Sequence, residues 1–294
     1  MFLVLLLETV FAFAFIVYKK SLLYAQPFLL TALRCLFAGT VLLGYQFFKD
    51  RKNFYISKDI IWLIILASML NIYITNAYEL WGLNYVTAAK GAFIYNLSPF
   101  VAIFMSYLFL NERMSKQKWI GLLVGFFGFI PILFTHSPGE VNVASYGFLS
   151  LAEIALIAAA IATASGWVFV KKLVYQKKYP IIMTNGTTIF LAGLISLIQS
   201  YYLENWDIPE ANILPIVSTT VAGAILGFFV GYNLYIYLLK KYSNTFMSFA
   251  GLSTPFITAL LGWIFLGETV NYIFFISGFL VLTGLVIFYK SEVV

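Results

Sequence analysis

Long apolar runs alternate with short polar breaks along the whole chain. Ten runs stand out, at residues 1–18, 27–48, 60–83, 86–110, 117–134, 146–170, 181–203, 213–239, 244–266 and 271–289. A helix rises 1.5 Å per residue, so runs of this length match a hydrocarbon core about 30 Å thick. Backbone groups in lipid must satisfy one another, and runs this long and continuous predict helices rather than barrel strands. The fold class expected is an all-α integral membrane protein with ten transmembrane helices. The first run starts at Met1 without a basic leader. Ala12-Phe13-Ala14 imitates a signal-peptidase site, but the repeat described next requires this helix to stay.

The chain repeats itself. Leu97-Ser98-Pro99-Phe100, followed by Leu110-Asn111-Glu112, returns 156 residues later as Ser253-Thr254-Pro255-Phe256, followed by Leu266-Gly267-Glu268. Gly128 and Gly284 keep that offset, and Val17-Tyr18-Lys19-Lys20 returns at 152 as Phe169-Val170-Lys171-Lys172. The expected organisation is a first five-helix repeat at 1–134, an outer connecting loop at 135–145, a second repeat at 146–290 and a cytoplasmic tail at 291–294. Five is odd, so the second copy enters the membrane from the opposite side. Inverted repeats of this kind build alternating-access transporters, with the binding site near the midplane.

Composition narrows the class further. Apolar residues make up 62% of 294 and charged residues 10%, far from the roughly 25% charge of soluble domains. A soluble enzyme is excluded. The net charge of +6 suggests nucleic acid only until the charges are located. Fourteen Lys and Arg fall in one set of loops and the tail: Lys49, Arg51, Lys52, Lys58, Arg113, Lys116, Lys118, Lys171, Lys172, Lys177, Lys178, Lys240, Lys241 and Lys290. The opposite loops hold Lys19 and Lys20, while Arg34 and Lys90 lie within spans. The positive-inside rule then places both termini in the cytoplasm and leaves no reason to invoke nucleic acid. A bacterial inner membrane is the expected location. Cys35 is the sole cysteine, so no intramolecular disulfide forms, and the single His136 rules out clustered-histidine metal sites.

With these motifs in hand, the sequence resembles the EamA-type transporters of the drug/metabolite transporter superfamily. The Pro-Phe…Leu-x-Glu block in the fourth helix of each half carries the resemblance, with Gly121, Gly125 and Gly128 in the fifth helix and the Lys pair ending helices one and six. The resemblance implies a central cavity between the repeats and movement of small organic metabolites. Substrates across the superfamily range from amino acids and adenosylmethionine-like compounds to nucleotide sugars.

Charge inside the membrane costs about 2.5–3.5 kcal/mol per residue on insertion scales, so intramembrane ionisable residues are functional candidates. Glu8 lies about 12 Å into the first span. It is read as a proton-coupling group, a partner for a cationic substrate group, or a protonated structural residue. Glu153, on the repeat-equivalent helix, has the same alternatives. Lys90 pairs with Glu79, snorkels outward or holds a substrate anion; Arg34 is expected to bond neighbouring carbonyls or an internal acid, with substrate contact as the alternative. On the third span Asn71, Thr75, Tyr78 and Gly82 recur at spacings of four, three and four, one helical face flanked by Asn76 and Glu79. Tyr95, Asn96 and Ser98 precede Pro99, and Asn244, Thr245, Ser248, Gly251 and Pro255 form the corresponding face of the ninth span. The two prolines are candidate bending points. Gly223, Gly227 and Gly231 suggest close helix packing, with Tyr232, Asn233 and Tyr235 beside them. Trp81 and Trp167 are candidates for stacking on an aromatic ligand or for an interfacial belt. Glu112 and Glu268 are read as caps on the following helix.

The function expected is a secondary transporter of a small polar or zwitterionic metabolite, amino-acid-like or adenosylmethionine-like, working by alternating access. Partners are the substrate and membrane lipids, with protons or a counter-substrate as further candidates; no cofactor and no metal are expected. A channel, a lipid scramblase-like protein and an intramembrane transferase are the alternatives. No phosphate-binding G-x-x-x-x-G-K-[ST] loop and no H-E-x-x-H or G-x-S-x-G motif is present, so no catalytic residue is assigned.

Overall fold

A computed structural model describes residues 2–98, 100–101, 104, 115–134, 140–141, 143–146, 149–238, 241–242, 247 and 250–290. Pro99, Glu112, Arg113, His136, Lys240, Asn244, Thr245 and Ser248 lie outside them. The helices are α1 (Phe2–Ser21), α2 (Pro27–Lys49), α3 (Lys58–Leu83), α4 (Ala88–Tyr95), α5 (Lys116–Leu133), α6 (Leu151–Gln176), α7 (Ile181–Leu203), α8 (Glu210–Leu238), α9 (Thr254–Leu266) and α10 (Tyr272–Lys290). A minimal antiparallel ladder, β1 (Ser145–Tyr146) with β2 (Leu149–Ser150), precedes α6. Among the described residues seven helices, α1–α3 and α5–α8, are long and apolar enough to cross a membrane. Large apolar side chains such as Leu123, Phe127, Leu214, Trp263 and Phe279 stand exposed around the bundle, the surface expected of a protein solvated by lipid tails.

Acids satisfy buried helix ends, from elsewhere in the chain or from the helix itself. Pro27 opens α2, Gln26 makes no side-chain cap, and the Glu204 carboxylate accepts from Phe28 N and Leu29 N at 2.7 Å each. Ser150 and Glu153 form a capping box on α6. Tyr146, Leu149 and Ser150 are therefore ladder and cap rather than the start of the sixth helix. Gly267 ends α9 in the left-handed conformation, φ 67°.

The contact pattern is the same for both halves. α2 packs on α7, and α5 on α10. α1 packs on α8 and α9, as α6 packs on α3 and α4. The crossings are close: a Cβ on Gly284 would meet the backbone of Gly125, and one on Gly39 the backbone of Phe190. Two irregularities repeat too, whereas a third π-helical turn, Lys172–Gln176 at the end of α6, has no counterpart in α1. A π-helical turn interrupts α3 at Ser68–Ile74 and α8 at Ala224–Tyr232, starting 156 residues apart. In each, a side chain returns to the carbonyl five residues back: Thr75 Oγ1 donates to Leu70 O at 2.8 Å and Asn233 Nδ2 to Phe228 O at 2.9 Å. The chain also breaks after α4, in a turn at Asn96–Leu97, and before α9, at Leu252–Ser253, again 156 apart. Pro255 therefore sits in the first turn of α9, where its missing N–H leaves no intrahelical bond unmade. It starts a helix rather than bending one.

Candidate functional site

α1, α3, α6, α8 and the broken segments next to α4 and α9 enclose a cavity, from which α2, α5, α7 and α10 stay away. Its volume is about 130 Å³. Two carboxylates face it. Glu8 of α1 is 3% exposed and accepts a hydrogen bond of 2.6 Å from Thr254 Oγ1. Glu79 of α3 is 6% exposed. Asn76, Asn96, Ser98 and Thr163 add neutral polar groups, and the Tyr95 and Thr163 hydroxyls share a hydrogen bond of 2.8 Å. Aromatic rings line the cavity as well. Trp167 stacks on Tyr235 at 4.5 Å between centroids with 27° between planes, and Tyr232 lies 5.4 Å away. An apolar chamber with a few convergent polar groups is the usual form of a small-molecule site.

A basic side chain stands beside the cavity. Arg34 of α2 is buried with its guanidinium 3.7 Å above the Tyr18 ring, and its Nη2 donates to Asn76 Oδ1 at 3.3 Å. Glu79 lies within its field.

The sequence pattern of the EamA-like transporter family matches residues 1–134 and 150–290. The chain belongs to the EamA-like transporter family. It is a multi-pass membrane transporter, not an enzyme. A protein of Chlamydia muridarum named S-adenosylmethionine/S-adenosylhomocysteine transporter is 32% identical over 99% of this chain and 92% of its own. One of the same name from Chlamydia trachomatis serovar L2 is 33% identical over 99% and 89%. Protein PecM of Dickeya dadantii is 23% identical over 79% and 77%. A crystal structure superimposes with a TM-score of 0.66 over 97% of this chain and 93% of that one, at 16% identity.

Residues singled out from the transporter's sequence that come together in the cavity are Glu8, Asn76, Glu79, Tyr95, Asn96, Trp167 and Tyr232, joined by Ser98, Gly227, Tyr235 and Gly251. Asn71, Thr75, Tyr78, Lys90, Glu153 and Asn233 are not among its lining. Thr75 and Asn233 serve the two π turns, and Asn233 Oδ1 also accepts from Asn185 Nδ2 at 2.9 Å. Tyr78 packs edge-on against Phe28 of α2. Asn71 is buried, with its backbone carbonyl accepting from Tyr232 at 3.1 Å and, among the described residues, no partner for its side-chain amide. The stripe Asn71, Thr75, Tyr78, Gly82 assumes regular helical spacing. The π turn adds a residue inside it and rotates the later positions, so Asn76 and Glu79 reach the cavity instead.

Lys90 and Glu153 form a separate cluster. Lys90 Nζ lies 2.9 Å from Glu153 Oε1 and 3.2 Å from Glu140 Oε2. It pairs with these acids rather than with Glu79. Glu153 is committed as well to Ser150 at its own helix end. The cluster joins α4, α6 and the connecting segment, away from the cavity lining. Glu268 likewise does not cap the helix after it. Both its oxygens accept from Ala88 N at the start of α4, at 2.9 Å. Lys19 Nζ donates to the neighbouring carbonyls Leu83 O and Val86 O, the latter at 2.6 Å. The glycines of α8 receive aromatic side chains rather than helix backbone: Gly223 and Gly227 face Tyr18, and Gly231 faces Phe11. Trp81 lies at a different, loop-lined recess with Asn84, Tyr85 and the 203–212 segment.

The sequence reading missed Phe11, Phe15, Tyr18, Thr163 and Thr254. Thr254 had a signal: it is the repeat equivalent of Ser98, and both lie beside a helix break at the cavity. The aromatic residues had none, because Phe and Tyr are too abundant in this chain to single out.

Proposed function

We propose that this protein carries S-adenosylmethionine and S-adenosylhomocysteine, or compounds of the same adenosyl thioether chemistry, by alternating access of two inverted repeats. The cavity carries the reading. It offers two carboxylates for cationic groups, asparagine and threonine groups for the polar parts, and the Trp167–Tyr235 stack for a planar base. The two Chlamydia relatives bear that substrate pair in their names, and their identity runs through both halves of this chain. The repeated contacts, the paired π turns and the paired helix breaks support a pseudo-symmetric carrier, since discontinuous helices at a repeat interface are the common form of a transporter binding site.

Lys19 and Glu268 close the α3–α4 turn, while Lys171, the repeat equivalent of Lys19, is exposed. With the basic loops cytoplasmic, the end closed by Lys19 faces outward. The placement that follows is a bacterial inner membrane with both termini inside.

The test is uptake of radiolabelled S-adenosylmethionine by proteoliposomes loaded with S-adenosylhomocysteine. Saturable uptake that requires the internal compound and is competed by the external one supports the reading. Equal uptake by protein-free vesicles, or no uptake while other metabolites are carried, overturns it.

A further inference from the structure

Glu8 is a buried carboxylate facing the cavity, and no Lys or Arg contacts it among the described residues. Its one hydrogen bond comes from a neutral hydroxyl, that of Thr254 on α9. The other groups that face it are neutral too: Gly251 lies between it and Asn96 beyond α4, and from α8 it faces the Tyr235 phenol. Glu79 on α3 is the other cavity acid, and its charge is opposed by Arg34. Arg34 itself is held in place by Tyr18 and Asn76. Of the two cavity acids, Glu79 therefore has a guanidinium near it and Glu8 has no cation in contact among the described residues. An uncompensated buried charge is costly, so either a cationic ligand or a proton must meet it when the site is closed to water.

We propose that Glu8 balances charge in the transport cycle, facing the cation of a positively charged substrate and taking a proton when a neutral substrate is carried. The inference rests on the proposed substrate pair. The sulfonium compound carries a net charge of one positive; the thioether left after loss of the methyl group is a neutral zwitterion. One direction then moves the cation against ionised Glu8. The other moves the neutral zwitterion with one proton on Glu8. Both loaded forms of the site carry the same charge, and one full exchange moves one cation one way and one proton the other, with no net charge. The proton comes from the aqueous phase to which the cavity is open.

The experiment uses proteoliposomes loaded with S-adenosylhomocysteine and a trapped pH dye, with S-adenosylmethionine outside and the potential clamped by valinomycin and potassium. A potential of about 60 mV, inside negative, drives a tenfold accumulation if one net charge moves. The expected result is the same accumulation with and without the potential, one proton leaving per cation entering, and faster exchange when the inside is acidic. In Glu8→Gln the proton movement disappears, and the cation uptake that remains follows the potential about tenfold. Wild-type exchange that follows the potential and moves no proton overturns the proposal, whatever the folding of the variant. A wild-type protein that carries neither compound overturns the substrate reading instead.

Discussion

Trp167 gives the sharpest test of the cavity. It stands on α6 with its ring over Tyr235 at 4.5 Å and beside Tyr232 at 5.4 Å, and it is only partly buried. A planar base entering the cavity extends this stack. Stacking of a base on an aromatic side chain is worth about 1–3 kcal/mol by alanine substitution. At about 1.4 kcal/mol per factor of ten, Trp167→Ala should weaken adenosyl ligands about 5- to 150-fold. Trp167→Phe should keep much of the affinity. The substitution also removes aromatic contacts worth about 0.5–1.5 kcal/mol each, so a lower unfolding temperature is expected and must be measured beside binding. Isothermal titration in detergent with S-adenosylmethionine, S-adenosylhomocysteine and adenosine is the assay, with methionine as the ligand that lacks the ring. The three adenosyl ligands should weaken in parallel, and any methionine binding should be unchanged. A folded Trp167→Ala protein that binds all three as the wild type does refutes the stacking role.

Two further predictions concern residues outside the cavity. Lys90→Ala leaves Glu140 and Glu153 buried without their cation; losing one partner of a buried ion pair costs about 3–5 kcal/mol. Thermal unfolding in detergent should show a large loss, partly restored by adding Glu153→Gln. A variant of wild-type stability that has lost substrate binding would instead make Lys90 a ligand-holding group. Glu268, in the turn after α9, has its carboxyl raised above the usual 4.5 by burial, a shift that its hydrogen bonds from Ala88 oppose. The folded state therefore keeps this proton to higher pH than the unfolded chain. Its contribution to stability is full below the unfolded value and falls as pH climbs through the folded one. Glu268→Gln should flatten that limb of the stability–pH curve; an unchanged slope counts against the assignment.

One-dimensional features of the chain suffice for its class. Hydropathy marks membrane helices because a lipid solvent acts on each segment by itself. The repeat is visible because Ser98-Pro99-Phe100 and Thr254-Pro255-Phe256 keep a constant offset, and the basic loops suggest an orientation. Which polar residues share a space was much less legible. Glu8 and Glu153 sit on repeat-equivalent helices and look alike in the sequence. Folding gives Glu153 a helix end and a lysine to satisfy, and leaves Glu8 facing the cavity with one hydroxyl. Regular periodicity likewise grouped Thr75 with Tyr78, whereas the π turn of α3 delivers Asn76 and Glu79. Lys90 and Glu79 are near neighbours in sequence, yet the partners of Lys90 are Glu140 and Glu153. Such outcomes depend on how helices distant in sequence pack and on where one inserted residue rotates a face. Both are properties of the assembled bundle, because the contacts that decide them come from segments up to 246 residues apart.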